Sequence, residues 1–202
     1  MSYKIGITGG IASGKSLVLG ILRDLGIPVI SADDIVKDLQ KDPYYLEKIR
    51  VTFGNEVFEG ENLNRKKLAD IIFNDESARL KLNSIFHPPV LKEIIKKMEE
   101  LKEKPIIAVE VPLLFEVGIE NWFNEIWVVY VPLDIQIQRI IDRDRISWEE
   151  AIKRIKSQMP LEEKIKKAHF IVYNDKDKEY TKKQVLDRIS YLYRMLYNKN
   201  LE

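Results

Sequence analysis

Residues Gly9 to Ser16 read Gly-Gly-Ile-Ala-Ser-Gly-Lys-Ser. This is the G-x-x-x-x-G-K-[ST] spacing of a phosphate cradle. A β-branched run, Tyr3 to Thr8, precedes it, and the apolar, helix-favouring stretch Leu17 to Leu25 follows. A buried strand, a glycine loop and a helix start must therefore stand in line. That requirement commits the chain to an α/β fold whose first strand carries the loop.

Each residue type in the loop answers a chemical need. Gly9 and Gly14 are expected to turn the backbone at positive φ and let it approach a phosphate without a Cβ in the way. The N–H groups of Gly10, Ile11, Ala12 and Ser13 then converge as an anion nest, reinforced by the positive end of the helix beginning near Gly14. Lys15 supplies an ammonium for the β- and γ-phosphates, and the Ser16 hydroxyl is placed to ligate Mg²⁺. A dinucleotide fingerprint does not fit, because no G-x-G-x-x-G can be laid over Gly6, Gly9, Gly10 and Gly14.

Size and charge narrow the rest. The 202 residues, 45% of them apolar, suffice for one sizeable core with an appended subdomain. A net charge of +1 gives no electrostatic reason for a nucleic-acid or membrane partner. Without cysteine there is no disulfide, thiolate metal site or thiol nucleophile. No signal-peptide pattern opens the sequence, and no apolar run reaches membrane-spanning length, so a cytoplasmic protein is expected. A monomer is the expectation, with an oligomer left open.

Four continuous β-branched runs, Tyr3–Thr8, Ile106–Val111, Ile126–Val131 and Phe170–Tyr173, read as strands buried on both faces. Val29–Ser31 adds a fifth, and helical patterns separate them. The whole chain, 1–202, is read as one domain around a five-stranded parallel sheet flanked by helices. Its core is expected at about 1–33, 105–138 and 168–202. Between the second and third strands, about 34–104, lies a stretch too long for a plain crossover. Helical periodicity at Tyr44–Phe53, Arg65–Phe73, Ala78–Phe86 and Val90–Leu101 makes it a helical subdomain, with Gly54, Gly60, Asn62 and Pro88-Pro89 as its punctuation. A second charged helical segment, about 139–167, carries Arg139, Arg143, Arg145 and Arg154. The tail Asp187–Tyr197 reads as an amphipathic helix, with Ile189, Leu192, Tyr193, Leu196 and Tyr197 toward the sheet.

Ligands of open α/β sheets gather outside the carboxyl ends of strands. Asp33, just past the second strand, therefore lands on the same edge as the glycine loop, where a carboxylate can accept the proton of an attacking hydroxyl. Asp34 keeps the simpler reading of a cap for a helix starting at Ile35. Glu110, at the end of the third strand, is read either as a Mg²⁺ ligand or as plain strand termination. Arg139 and Arg143, four apart on one helix face, suit the charge that builds on a transferring phosphoryl group, or else form a solvated face. A lone His87 before Pro88-Pro89 lacks a second histidine for a metal site. Asn174-Asp175-Lys176-Asp177 has the wrong order for a guanine-reading loop.

Taken together, these blocks resemble the dephospho-coenzyme A kinase family. The carriers are Thr8 to Ser16, Ser31-Ala32-Asp33, Leu82 to Pro88 with its His-Pro, and Val111-Pro-Leu-Leu-Phe-Glu116. Gln138-Arg139 with Arg143-Asp144, Arg154 with Ser157-Gln158, and Ala168-x-Phe-Ile-Val-x-Asn174 complete the set, in the family's order along nearly the whole chain. The resemblance implies a P-loop kinase fold, with a helical substrate-binding subdomain and a helical lid. It implies ATP-dependent phosphorylation of the ribose 3′-hydroxyl of dephospho-coenzyme A, with Mg²⁺. Gly9 to Leu17 become the nucleotide contacts, with Ala12 to Leu17 along the ATP phosphates and Arg139 and Arg143 in the lid's grip. Lys15, Asp33 and Arg139 become catalytic, with Asp33 as the base. Thr8, Asp33, His87 and Leu114 become the acceptor contacts, and Ser16 the metal contact.

The sequence departs from the family at four positions. Ser31 stands where many members carry a first Asp, and Leu17 replaces a Thr, leaving Ser16 as the only hydroxyl for Mg²⁺. Ala12 replaces a common Gly, and His169 stands in place of Asp with no role assigned. Two other readings remain open at this point. One is a nucleoside or nucleoside-monophosphate kinase. The other is a non-catalytic nucleotide-binding regulatory module.

Overall fold

The computed structural model describes residues 2–198. Strand β1 (Tyr3–Gly9) runs into the glycine loop and helix α1 (Lys15–Asp24), followed by β2 (Val29–Ser31). Helices α2 (Ala32–Leu39) and α3 (Pro43–Phe53) lead to a small hairpin, β3 (Phe58–Glu59) and β4 (Asn62–Leu63). Helices α4 (Arg65–Asn74) and α5 (Glu76–Glu100) close the insertion. The chain then returns as β5 (Ile106–Glu110), α6 (Leu114–Val117) and β6 (Glu125–Tyr130). An arm of three helices, α7 (Leu133–Asp144), α8 (Trp148–Lys156) and α9 (Leu161–Lys166), precedes β7 (Phe170–Tyr173) and α10 (Lys178–Asn198).

The main sheet has the order β2-β5-β1-β6-β7, and every pairing in it is parallel. The expected five-stranded sheet is present. Its register brings Ile7, Glu110 and Ser31 level across three strands. All five carboxyl ends thus open on one edge, where the loop starts.

The continuous apolar runs serve two cores at once. From alternate positions, Ile5, Ile7, Ile106, Ala108, Trp127 and Val129 pack against α1 and α10. Ile107, Val109, Ile126 and Val128 face the other way, onto α6 and the insertion. Gly6 lies on that second face, between Ile5 and Ile7, and a glycine fits there because a Cβ would meet Phe123 at 2.8 Å and Leu114 at 2.9 Å. A third, smaller cluster joins Ile137 and Ile140 of α7 and Ala151 of α8 to Ile11 and Ala12 of the glycine loop.

Several expectations are corrected. Pro88 and Pro89 do not divide two helices; both sit inside the 25-residue α5. Phe86, Val90, Ile94 and Met98 recur every four residues across the prolines and are buried. This stripe holds the helix together where two backbone donors are missing. The hairpin β3–β4 has no counterpart among the strands expected from sequence. Asp34 is not a cap: α2 begins at Ala32, its cap is Ser31, and the Ser31 hydroxyl accepts the Asp34 N–H at 3.3 Å. Asp34 instead pairs with Lys37 at 2.8 Å. The last helix starts at Lys178, well before Asp187, and Tyr197 is 69% exposed rather than turned to the sheet. His169 does have a place: its Nδ1 accepts the Ile126 N–H at 3.1 Å, extending the β6–β7 ladder by side chain.

Candidate active site

The loop between β1 and α1 takes its left-handed turns at Ala12 (φ 58°) and Gly14 (φ 94°). The expectation of a positive φ at Gly9 is not met: Gly9 ends β1 in extended backbone. It is needed for closeness, since a Cβ there would lie 2.6 Å from Ser13 Oγ and 2.7 Å from the Val129 carbonyl. The Gln136 amide on α7 pins the loop by donating to the Ile11 carbonyl at 2.7 Å. The Lys15 ammonium folds back to the Gly10 carbonyl at 3.1 Å. Burial pulls its pKa down from 10.5, against the pull of the Glu110 and Asp33 carboxylates.

A cleft of about 520 Å³ opens over this loop. Ile11, Ala12, Gly14, Lys15 and Ser16 form its floor. Asp33, Glu110, Pro112, Arg139, Arg143 and Gln158 complete its walls. A second cavity of about 250 Å³ lies against the insertion, lined by Val36, Leu82, Phe86, His87, Val90 and Leu113 among others. Asp33, Pro112 and Gln158 border both spaces. The apolar body and the few polar groups of the second cavity (Gln40, Asn83, His87) suit a flat, partly polar ligand. Burial lowers the pKa of His87, so its imidazole is neutral at neutral pH.

Glu110 is a second perturbed group on this edge, beside Lys15. It is buried, and its pKa is raised from 4.5 to about 7, first by burial and then by the neighbouring Asp33 charge. Lys15, the Ser31 hydroxyl and the Asp33 N–H oppose the rise. The Ser31 Oγ donates to Glu110 Oε2 at 2.8 Å. Where Ser31 replaces a first Asp, Glu110 puts a carboxylate beside it.

The arginines differ in surroundings. Arg139 Nη2 donates to the Asn174 carbonyl at 2.8 Å, and Nη1 reaches the Ser13 carbonyl at 3.5 Å. Arg143, one turn on, makes a two-pronged pair with Asp144 at 2.7 and 2.8 Å. Asp144 also holds Arg154 of α8, whose guanidinium stacks 4.9 Å from the Phe73 ring of α4. Lys153 adds a bond to Asn74 at 2.9 Å. The α7–α8 arm thus rests on the insertion as well as on the loop.

Not every candidate reaches the cleft. Thr8 is buried and donates its hydroxyl to the Pro112 carbonyl at 3.0 Å. Leu114 is buried in the core beneath Gly6, and Leu113 is the leucine that borders the second cavity. The Leu17 side chain packs into the α1–sheet core. Gly9, Gly10 and Ser13 do not line the cleft. Gln136 and Gln158 join the site although no motif assigns them a role. Gln136 has a legible signal, because it shares the apolar stripe of α7 with Ile137 and Ile140, and a buried amide must find partners. Gln158 follows α8 in irregular chain, where no periodicity marks it.

The model of the dephospho-CoA kinase family, CoaE, matches residues 3–179. A dephospho-CoA kinase of Carboxydothermus hydrogenoformans is 46% identical over 187 residues, covering 90% of each chain. One of Geobacillus kaustophilus is 40% identical over 193 residues, covering 92% of this chain and 94% of the relative. The solved dephospho-CoA kinase of Campylobacter jejuni superposes with a TM-score of 0.68 at 35% identity, over 94% of this chain and 96% of that one. A shikimate kinase of Aquifex aeolicus, at 16% identity and a TM-score of 0.51 over 93% of this chain and 96% of that one, shares the fold alone. A family match across most of the chain, joined to a cradle, a strand-end carboxylate and a second cavity on one sheet edge, means that this protein belongs to the dephospho-CoA kinase family.

Proposed function

We propose that the larger cleft binds ATP and the smaller cavity the adenosine end of dephospho-coenzyme A, and that the γ-phosphoryl group passes between them to the ribose 3′-hydroxyl. The products are coenzyme A and ADP. The observation that carries this reading is the position of Asp33 on the border of both spaces. A base there meets the acceptor hydroxyl on one side and the phosphate cradle on the other.

In the proposed step the Asp33 carboxylate takes the hydroxyl proton as the 3′-oxygen bonds to the γ-phosphorus. The bond from that phosphorus to the β–γ bridging oxygen breaks, and ADP leaves with the electron pair. Lys15 and the loop amides hold the β- and γ-phosphates, and Arg139 and Arg143 face the transferring group from the arm, which acts as the lid. The insertion serves as the acceptor subdomain.

Among the described residues no cluster of three or more His, Asp or Glu gathers to hold a metal. Mg²⁺ fits the site on other terms, through the Ser16 hydroxyl and phosphate oxygens, with Asp33 and Glu110 alongside. Bound there, it would neutralise charge on the phosphates. Every residue invoked comes from one chain, so the reading needs no second copy. Among the described residues no helix is long and apolar enough to cross a membrane. A cytoplasmic location belongs to the same proposal.

The test is ADP release from ATP with dephospho-coenzyme A, with AMP, with a nucleoside, and with no acceptor. Release that requires dephospho-coenzyme A is expected. Equal release with AMP or a nucleoside would reassign the acceptor, and binding of ATP without acceptor-dependent release would make the protein a nucleotide-binding module.

A further inference from the structure

Asn174 follows β7, is 5% exposed, and has no catalytic or binding role among the readings drawn from the sequence. Its Nδ2 donates to the Ser13 carbonyl at 2.8 Å. Its Oδ1 accepts the hydroxyl of Thr181, a fully buried residue in the first turns of α10, at 2.9 Å. A carbonyl only accepts, so the NH₂ end of the amide must face Ser13 and its oxygen must face Thr181. The Asn174 carbonyl meanwhile receives Arg139 Nη2 at 2.8 Å. A Cβ on Gly14 would collide with Asn174 Nδ2, so the glycine and the asparagine fit only as a pair.

The Ser13 carbonyl and the Gly14 N–H belong to one planar trans peptide and point in opposite directions. Whatever grips that carbonyl from behind aims that N–H forward. Gly14 stands on the floor of the larger cleft, one residue before Lys15. A free peptide at a φ of 94° in a glycine has several orientations open to it.

We propose that Asn174, itself oriented by Thr181, is a positioning residue that locks the Ser13–Gly14 peptide so that its N–H faces the terminal phosphates of a bound nucleotide. The proposal rests on the reading of this cleft as the ATP site. It makes the start of α10 part of the phosphate cradle although no atom of α10 lines the cleft. The Asn-Asp-Lys-Asp stretch, which resembles a guanine reader in composition, thereby gains a different role, because its first residue braces the loop.

The test compares wild type with Asn174→Ala, Thr181→Val and Thr181→Ser. Titration calorimetry measures ADP affinity, and initial rates give separate KM values for ATP and for dephospho-coenzyme A. Loss of one such hydrogen bond is expected to weaken ADP binding and raise the ATP KM about five- to tenfold in Asn174→Ala. Thr181→Val should move both in the same direction by a smaller factor, Thr181→Ser should restore them, and the acceptor KM should stay within about twofold. Unchanged ADP affinity in folded Asn174→Ala would overturn the proposal, as would an equal rise in both KM values. Should Asn174→Ala not fold, the contrast between Thr181→Val and Thr181→Ser decides in the same way. Wild type that binds no ADP would instead overturn the nucleotide reading beneath it.

Discussion

An ammonium and two carboxylates crowd the same stretch of sheet edge, and their roles separate by burial. Glu110 is buried and Lys15 half-buried, and both are perturbed, whereas Asp33 is exposed to both cavities. Asp33→Asn should therefore lower kcat by about 10²- to 10⁴-fold, the usual share of a general base, while ADP affinity by calorimetry stays near wild type. Lys15→Ala should lose both rate and nucleotide affinity. Glu110 carries a pH signature. Its folded pKa of about 7 lies above the usual 4.5, so the folded state holds a proton that the unfolded state releases. Its contribution is complete below about pH 4.5 and is lost as pH rises through about 7. Between about pH 5 and pH 8, wild type should lose on the order of 3 kcal/mol relative to Glu110→Gln in urea denaturation. Equal slopes would refute the buried, protonated state. Asp33 is legible in the sequence because strand-end geometry places it. The leucine of the acceptor cavity is not, because a turn of one residue decides whether Leu113 or Leu114 faces it.

Helices and strands set how the edge is held. Lys164 of α9 is fully buried; it donates to the Pro112 carbonyl at 2.7 Å and pairs with Glu116 of α6 at 2.9 Å. The same Glu116 accepts the Met159 N–H at 2.9 Å, next to Gln158 on the cleft wall. Two short helices from distant parts of the chain thus fix Pro112 and Gln158, which border both cavities. Glu116→Gln leaves the Lys164 ammonium buried without its counter-charge and should cost about 3 kcal/mol or more in chemical denaturation. Long, strongly patterned elements are legible in sequence, because the interior strands β1, β5 and β6 are buried on both faces and show it as nearly continuous apolar runs. Phe170–Tyr173 departs from that expectation: β7 is the edge of the sheet and leaves Tyr173 exposed. The hairpin β3–β4 has two residues per strand, too few for any period to appear. The proline pair in α5 misleads because local propensity forbids what the buried stripe on that helix permits.

At the scale of the molecule, the parallel sheet and the long insertion can be read from sequence, but the strand order cannot. That order depends on pairings between segments far apart along the chain, which no local pattern encodes. The edge opposite the cleft has its own tie. Buried Glu125 accepts Trp127 Nε1 and Arg188 Nε, each at 2.7 Å, and Tyr3 at 3.1 Å, joining β1, β6 and α10. Burial beside that carboxylate pushes the Tyr3 pKa up to about 12.

The strand made first, β1, occupies the middle of the sheet, and both its neighbours, β5 and β6, come from beyond residue 105. On the ribosome, then, the glycine loop must wait, its hydrophobic stem unpaired, until most of the polypeptide has been synthesised. Limited proteolysis of nascent chains stalled at increasing lengths should find Tyr3–Gly9 cleavable until Tyr130 has left the exit tunnel and protected afterwards. Early protection would mean that the insertion shelters the stem before the sheet can close.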